Sequence, residues 1–124
     1  MKINSKNSIC AVDYGFKRIG GKYKGRIIWH LHHNSLLRYG ELKKCLPDIT
    51  PKMLTQVLRE LEEDDLVNRK VYAQVPPKVE YSLTEIGKEL IPFIEHLRNW
   101  GEKQLKLENQ KPNVNLTIRK HMDT

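Results

Sequence analysis

Residues 46–87 constrain the fold most, because a helix pattern is followed there by a strand pattern. Thr50 is a favourable N-cap and Pro51 suits the first helical position, so a helix should begin there and run to about Asp64. Its apolar residues recur at i, i+3, i+4 and i+7, at Leu54, Val57, Leu58 and Leu61. One face of this helix can therefore pack into a core.

The opposite face of the same helix is polar and basic. With a rotation of about 100° per residue, it carries Lys52, Thr55, Gln56 and Arg59. These side chains offer donors and acceptors that suit base edges and phosphates. Because acidic residues cluster at residues 60–65, we expect only the N-terminal half of the helix to approach DNA. A merely solvated face is the alternative, and this helix alone does not decide between the two.

Two strand patterns follow, at residues 66–74 and 78–83, around a turn with two consecutive prolines. Proline cannot donate to a β-ladder, so the pair belongs at the tip of a hairpin. Arg69, Lys70 and Lys78 make the hairpin basic and suited to phosphate contacts. Alternate residues of the second strand are apolar and can face a core.

Shorter helix patterns precede this region, at residues 12–19, 22–33 and 38–46. The last of these and the helix from Thr50 would form a helix-turn-helix, with the basic hairpin as its wing. We therefore predict a mostly α-helical fold with a small β-hairpin wing, a winged helix-turn-helix. Arg38, at the start of the helix-turn-helix, is expected to add a contact to the DNA backbone.

Thr84 should cap one long last helix, in which Pro92 introduces a bend. Apolar residues follow it at steps of four and three, interrupted by Gln104, at Ile86, Leu90, Phe93, Leu97, Trp100 and Leu107. A seam this long at the end of a small domain is better explained by a partner helix than by one subunit's core. We expect a homodimer that dimerises through its terminal helices and binds inverted half-sites.

The length of 124 residues suits a single domain, which we place at residues 10–108, after a flexible segment 1–9 and before a mobile tail 109–124. The chain has 22 Lys and Arg against 15 Asp and Glu, a net charge of +7, which favours a polyanion partner. A basic protein without such a partner is the alternative. No apolar run suits a membrane span or a signal peptide, so a cytoplasmic location without membrane contact is expected.

At this point the chain resembles the HxlR-type winged-helix transcriptional regulators of bacteria, over roughly residues 10–101. The resemblance rests on an N-terminal cysteine ahead of a short helix and on a series of motifs. These are IGGK at 19–22, EL at 41–42 before LP at 46–47, KMLTQ at 52–56, LRELE at 58–62, VPPKVEY at 75–81, LTEIG at 83–87 and WG at 100–101. The resemblance implies a homodimeric repressor or activator that binds an inverted repeat and often responds to electrophiles, aldehydes or oxidants.

Three positions depart from the family pattern. The chain has Ala11 where the family usually has Pro, Tyr23 where it has Trp, and Asp65 where it has Gly. Asp65 would have to adopt a helix-ending conformation that glycine accepts more easily. None of the three lies on the expected DNA face.

Cys10 matches the position that redox-sensing members of this family use as their reactive thiol. Nearby Lys6, Lys17 and Arg18 would lower its pKa. In a dimer whose N-terminal helix reaches the partner, Cys10 of one chain could form a disulfide with Cys45 of the other. The alternative is that Cys45 is a small buried hydrophobe and Cys10 an incidental residue.

Other readings find little support in the sequence. His30, His32 and His33 lack a cysteine or acidic partner set, so we predict surface histidines, no metal and no cofactor. No Ser/His/Asp arrangement is present, so we do not expect an enzyme. A winged helix can also serve as a protein–protein interaction module without specific DNA binding, and this alternative stays open.

Overall fold

A computed structural model describes residues 9–110 of the chain. They form six helices and three strands, joined by turns and short loops. In chain order these are α1 (Ala11–Ile19), α2 (Lys24–Asn34), β1 (Leu37–Arg38), α3 (Tyr39–Cys45), α4 (Pro51–Glu63), β2 (Val67–Tyr72), β3 (Lys78–Leu83), α5 (Glu85–Lys88) and α6 (Ile91–Asn109). The predicted winged helix-turn-helix is confirmed: α3 and α4 form the helix pair, and β2 and β3 form the wing. Of the predicted flexible segment 1–9 and the predicted tail 109–124, residues 1–8 and 111–124 lie outside the described residues.

The sheet contains a strand that the sequence did not predict. Its order is β1-β3-β2 and all pairs are antiparallel. The two residues of β1 pair with Tyr81 and Glu80, which makes β3 the central strand. A strand of two residues is too short to show a period of two, so only the tertiary structure reveals it.

The core is formed by the apolar faces that the periodicity predicts. On α4 the buried residues are Leu54, Val57, Leu58 and Leu61, and on α2 they are Ile27, Ile28 and Leu31. Leu42 and Leu46 add to it from α3 and the residue after it. Burying four such side chains on one face, at about 1.5–3 kcal/mol each, fixes which side of α4 is left to solvent.

The predicted single last helix is wrong, because the chain breaks it at residues 89–90. Thr84 caps α5, and its Oγ1 accepts a 2.8 Å hydrogen bond from the Gly87 backbone N–H. α6 then starts at Ile91 with Pro92 in its first turn. Proline has no N–H, and its ring would clash with the carbonyl oxygen of Lys88 in a continuous helix. The proline therefore ends one helix and starts another instead of bending one.

The chain divides after Pro92 into two compact units. The first contains the sheet and the helices α1 to α5, and the second consists of α6 from Phe93 onward. Within residues 9–110, no helix combines the length and apolar character needed to cross a membrane.

Candidate nucleic-acid interface

The two ends of α4 are closed by local hydrogen bonds that its sequence encodes. Thr50 Oγ1 accepts a 3.1 Å hydrogen bond from the Met53 backbone N–H, as the capping prediction requires. At the other end the backbone N–H of Asp65 donates to the Glu62 carbonyl oxygen at 3.0 Å and that of Leu66 to the Leu61 carbonyl oxygen at 2.9 Å. This is a Schellman motif, and it gives Asp65 a φ of 60°. The predicted left-handed conformation of Asp65 is confirmed.

Two ion pairs, one in the turn before α4 and one on the helix itself, join α4 to α2. The Arg26 guanidinium donates two hydrogen bonds, of 3.0 and 2.9 Å, to the Asp48 carboxylate in the turn before α4. This pair lowers the pKa of Asp48 well below its usual range, and desolvation opposes the effect only in part. Midway along the helix, Lys24 Nζ lies 2.8 Å from Glu60 Oε1. These partners join residues far apart in sequence, so no local pattern predicts them.

The side chains predicted to face DNA are all exposed on α4: Lys52, Thr55, Gln56 and Arg59. Two of them already have partners within the helix. Thr55 Oγ1 donates to the Pro51 carbonyl oxygen at 3.0 Å, and Gln56 Nε2 donates to Glu60 Oε2 at 2.8 Å. Sequence analysis passed over Met53, an exposed apolar side chain in the same N-terminal half. A thymine methyl group is the base feature that such a side chain can contact.

The structure separates the three predicted wing cations onto two faces of the hairpin. Successive residues of a strand point to opposite faces, so Arg69 and Lys70 cannot share one. Arg69 is paired with Tyr81, whose side chain is buried. Lys70 is paired with Glu80 on the opposite face of the hairpin, which we call the outer face. Lys78 lies on this face as well. The sequence predicted one basic hairpin. In the structure Arg69 lies on the face that carries the buried Tyr81, and the two lysines lie on the opposite face.

Glu80 is the centre of the outer face. It is only 7% exposed, lies 3.2 Å from Lys78 Nζ, and accepts a hydrogen bond from the Tyr72 hydroxyl. The Tyr72 hydroxyl and then Lys78 lower the pKa of Glu80. Lys78 and Lys70 also lie over the Tyr72 ring, with Nζ 4.7 and 5.0 Å from its centroid. Sequence analysis missed both Glu80 and Tyr72, although their alternation with the lysines of the hairpin was visible.

Arg38 lies beside the same acid. It is exposed, stands opposite Glu80 in the β1–β3 ladder, and contributes a weaker electrostatic lowering of the pKa of Glu80. Its backbone N–H donates a 2.8 Å hydrogen bond to Glu41 Oε1 at the start of α3. The guanidinium therefore emerges at the junction of the sheet and the helix-turn-helix, next to the outer lysines.

The two cysteines differ in exposure. Cys10 is exposed at the N-cap of α1, and the backbone N–H groups of Asp13 and Val12 in the first turn lower the pKa of its thiol. Lys17 and Arg18 line the same shallow cavity as Cys10. Cys45 is half-buried at the end of α3. Within one described chain, both are free thiols.

Two histidines of α2, His32 and His33, form an aromatic cluster with Trp29. The ring centroids of Trp29 and His33 are 4.4 Å apart, and those of His32 and His33 are 5.2 Å apart. Burial, with Arg26 nearby, lowers the pKa of His30. Within residues 9–110, no group of three or more potential metal ligands is close enough together to bind an ion.

Comparison with known proteins gives a consistent result. The family described as HxlR-like helix-turn-helix matches residues 18–109. The HTH-type transcriptional regulator YdeP of Bacillus subtilis is 52% identical over 94 residues, which are 76% of this chain and 73% of that relative. The redox regulator HypR in its oxidised form is 48% identical, with a TM-score of 0.72 over 76% of this chain and 96% of the other.

A more distant solved structure agrees. The reduced form of the transcriptional regulator YodB from B. subtilis is 32% identical, with a TM-score of 0.66 over 77% of this chain and 94% of that one. The family match covers the two helices and the wing described above, which are the elements that define this fold. The chain therefore belongs to the HxlR-like helix-turn-helix family and is a winged-helix transcriptional regulator.

Proposed function

We propose that the protein is a homodimer that binds an inverted-repeat operator in double-stranded DNA, and that oxidation of Cys10 changes this binding. The main observation that supports DNA binding is the division of α4 into two faces. One face is wholly buried, while Lys52, Gln56 and Arg59 stand exposed on the other. A helix of this kind, next to a cationic hairpin, matches a major groove and its flanking phosphates.

Exposed apolar side chains support the homodimer. α6 exposes Leu97 to 51% and Trp100 to 57%, and Leu107 lies further along the helix and is similarly exposed. α1 has no buried residue at all and exposes Val12 to 62%. Burying large apolar side chains against a second copy removes this surface from water. We propose that both terminal helices take part.

A two-fold dimer determines the layout of the DNA site. Each protomer would insert one α4 into the major groove, so the half-sites must be inverted repeats. Their centres should lie about 10 bp apart, or a multiple of that, because both helices must reach one face of the duplex. We also propose a cytoplasmic location, where the chain would meet the DNA that it binds.

The thiol part of the proposal rests on the setting of Cys10. Its exposed, low-pKa thiol lies on the helix that we propose as part of the dimer interface. Its partner would be Cys45 of the other protomer. Two thiols would lose two protons and two electrons to form the disulfide, and hydrogen peroxide would take them up to give two waters. A disulfide there would shift one α4 relative to the other.

The experiment is a selection of bound duplexes from a random-sequence library, followed by footprinting of the selected duplex with reduced and with peroxide-treated protein. We expect an inverted repeat whose protection changes on oxidation, and no change with a Cys10→Ser protein. A footprint that oxidation does not alter would support sequence-specific DNA binding and refute the proposed thiol switch. If no sequence is enriched, sequence-specific DNA binding is refuted, and a protein–protein interaction module is favoured.

A further inference from the structure

The structure brings together two arginines that the sequence assigns to different tasks. A groove of about 270 Å³ is lined by Arg59 from α4 and by Arg69 from β2. Leu58 and Tyr81, which are buried, also line it, together with Tyr39, Thr55 and Glu62. Two cationic side chains from distant parts of the chain therefore share one recess beside the exposed face of α4.

Neither arginine has an ion-pair or hydrogen-bond partner for its side chain among residues 9–110. Within residues 9–110, three other cations are held by carboxylates: Lys24 by Glu60, Arg26 by Asp48 and Lys78 by Glu80. No ion pair or side-chain hydrogen bond joins Arg59 or Arg69 to any described residue, Glu62 included. With one acid and two guanidiniums, the groove keeps an excess positive charge.

Two of the three hydroxyl groups that line the groove, those of Tyr39 and Thr55, already donate hydrogen bonds within the protein. Tyr39 Oη donates to the Pro51 carbonyl oxygen at 2.9 Å, and Thr55 Oγ1 donates to the same oxygen at 3.0 Å. The donors left for a ligand are therefore the N–H groups of the two guanidiniums and the hydroxyl of the buried Tyr81. Two planar guanidinium groups, each with several N–H donors, are best matched by an anion with several oxygen acceptors, such as a phosphate group.

We propose that Arg59 and Arg69 together bind a single phosphate of the DNA backbone. This proposal rests on the DNA binding proposed above. Arg59 is the ninth of the 13 residues of α4, whereas base contacts in this kind of docking come from the N-terminal part of the recognition helix. Arg59 is then a backbone anchor and not a base reader. The groove also couples the helix to the wing, since each supplies one arginine to the same phosphate.

The test uses Arg59→Ala, Arg69→Ala and the double variant in the full chain, with Lys88→Ala as a control that removes one exposed positive charge elsewhere. Affinity is measured by fluorescence anisotropy at several salt concentrations. The two probes are the duplex selected from the random library and a duplex of unrelated sequence. Circular dichroism checks that each variant folds, and Arg59→Lys tests whether charge alone is sufficient.

We expect each single variant to weaken binding of both duplexes roughly tenfold, without changing the ratio between them. The double variant should be only a few-fold weaker than either single one, because the first substitution already disrupts the shared site. The slope of log affinity against log salt should fall by about 0.9 per protomer in the double variant, as for one phosphate. Arg59→Lys should recover only part of the loss, since lysine lacks the fork.

Three results would overturn the proposal. Arg59→Ala could weaken only the selected duplex and alter the preferred bases, which is the behaviour of a base reader. The two losses could multiply, with a slope change of about 1.8 per protomer, which indicates two separate phosphates. The variants could bind both duplexes like the parent yet lose calorimetric binding of inorganic phosphate, which would make a free phosphate the ligand.

Failure of the proposed function is visible separately. If no sequence is enriched in the selection, sequence-specific DNA reading fails, but the unrelated duplex still measures the backbone contact. Equal, unchanged affinities of all variants for both duplexes, with no binding of inorganic phosphate, would refute the two-arginine site itself.

Discussion

The Arg26 guanidinium and the Asp48 carboxylate face each other with two hydrogen bonds, of 3.0 and 2.9 Å, and so join α2 to the turn in front of α4. Lys22 adds a longer contact of 3.5 Å to the same carboxylate. The Tyr23 hydroxyl donates to the Asp48 carbonyl oxygen at 3.3 Å. This one residue thus anchors the turn that sets the direction of α4.

Asp48→Asn should lower the free energy of unfolding at pH 7, because the neutral amide loses the ion pair with Arg26. The folded-state pKa of Asp48 lies below the unfolded value of 3.8, so the stabilisation is present above that value. It is lost as the pH falls below 3.8 toward the folded pKa. Urea unfolding of parent and variant at pH 7, and at a series of acidic pH values, should show the difference shrinking with acid. Glu85→Gln is the control, since that carboxylate is exposed; an equal loss in the control would contradict the assignment.

Asp65→Gly should stabilise the fold by about 0.5–1 kcal/mol, because glycine adopts positive φ without the steric cost that a Cβ brings. The φ of Asp65 is 60° at the end of α4. Urea unfolding measures the change. Asp64→Gly is the control, since its φ of −83° gives glycine no advantage, and it should be destabilising because it also loses the 3.6 Å ion pair with Arg18. Stabilisation by both variants would show that the conformation of Asp65 is not the cause.

Trp100→Glu should convert the proposed dimer to a monomer at micromolar concentration, because a charge would be buried among apolar side chains of the partner. Sedimentation velocity would measure the mass, and circular dichroism would confirm that the chain still folds. Lys103→Glu, which also adds an exposed acid to α6, is the comparison and should leave the dimer intact. A parent protein that is already monomeric would refute dimerisation through these helices.

Cys10 should react with iodoacetamide at a lower pH than an ordinary thiol, whose pKa is about 8.5, because N–H groups of α1 stabilise its thiolate. The rate should follow the thiolate fraction, and mass spectrometry of peptides would report it for each cysteine. Alkylation at Cys10 that becomes half-maximal only at or above the pKa of an unperturbed thiol, about 8.5, would contradict this prediction. Cys45, which is half-buried, serves as the internal comparison.

Glu80→Gln should strengthen binding to any duplex and steepen its salt dependence, since the amide keeps an acceptor for Tyr72 but releases the charge of Lys78. Anisotropy titrations at several salt concentrations measure both effects. Glu89→Gln makes the same change of charge at an exposed position away from the wing and should have a smaller effect. Weaker binding of Glu80→Gln would mean instead that Glu80 orients Lys78 toward the phosphates.

Local patterns determined much of this protein. Thr50 and Pro51 start α4 where capping chemistry predicts, and β3 covers the predicted residues 78–83. The strained conformation of Asp65 also follows from its place after a helix. All of these depend on neighbours within a few residues, where periodicity, caps and turn chemistry act directly.

The tertiary structure decided which charges are available and which are already paired. The pairing of β1 with β3 sets Arg38 beside Glu80, and the strand register separates Arg69 from Lys70. The meeting of Arg59 with Arg69 in one groove depends on contacts across the chain as well. A sequence shows that a side chain is cationic, but only its three-dimensional neighbours show whether a carboxylate already neutralises it, because Coulomb energy depends on distance through space.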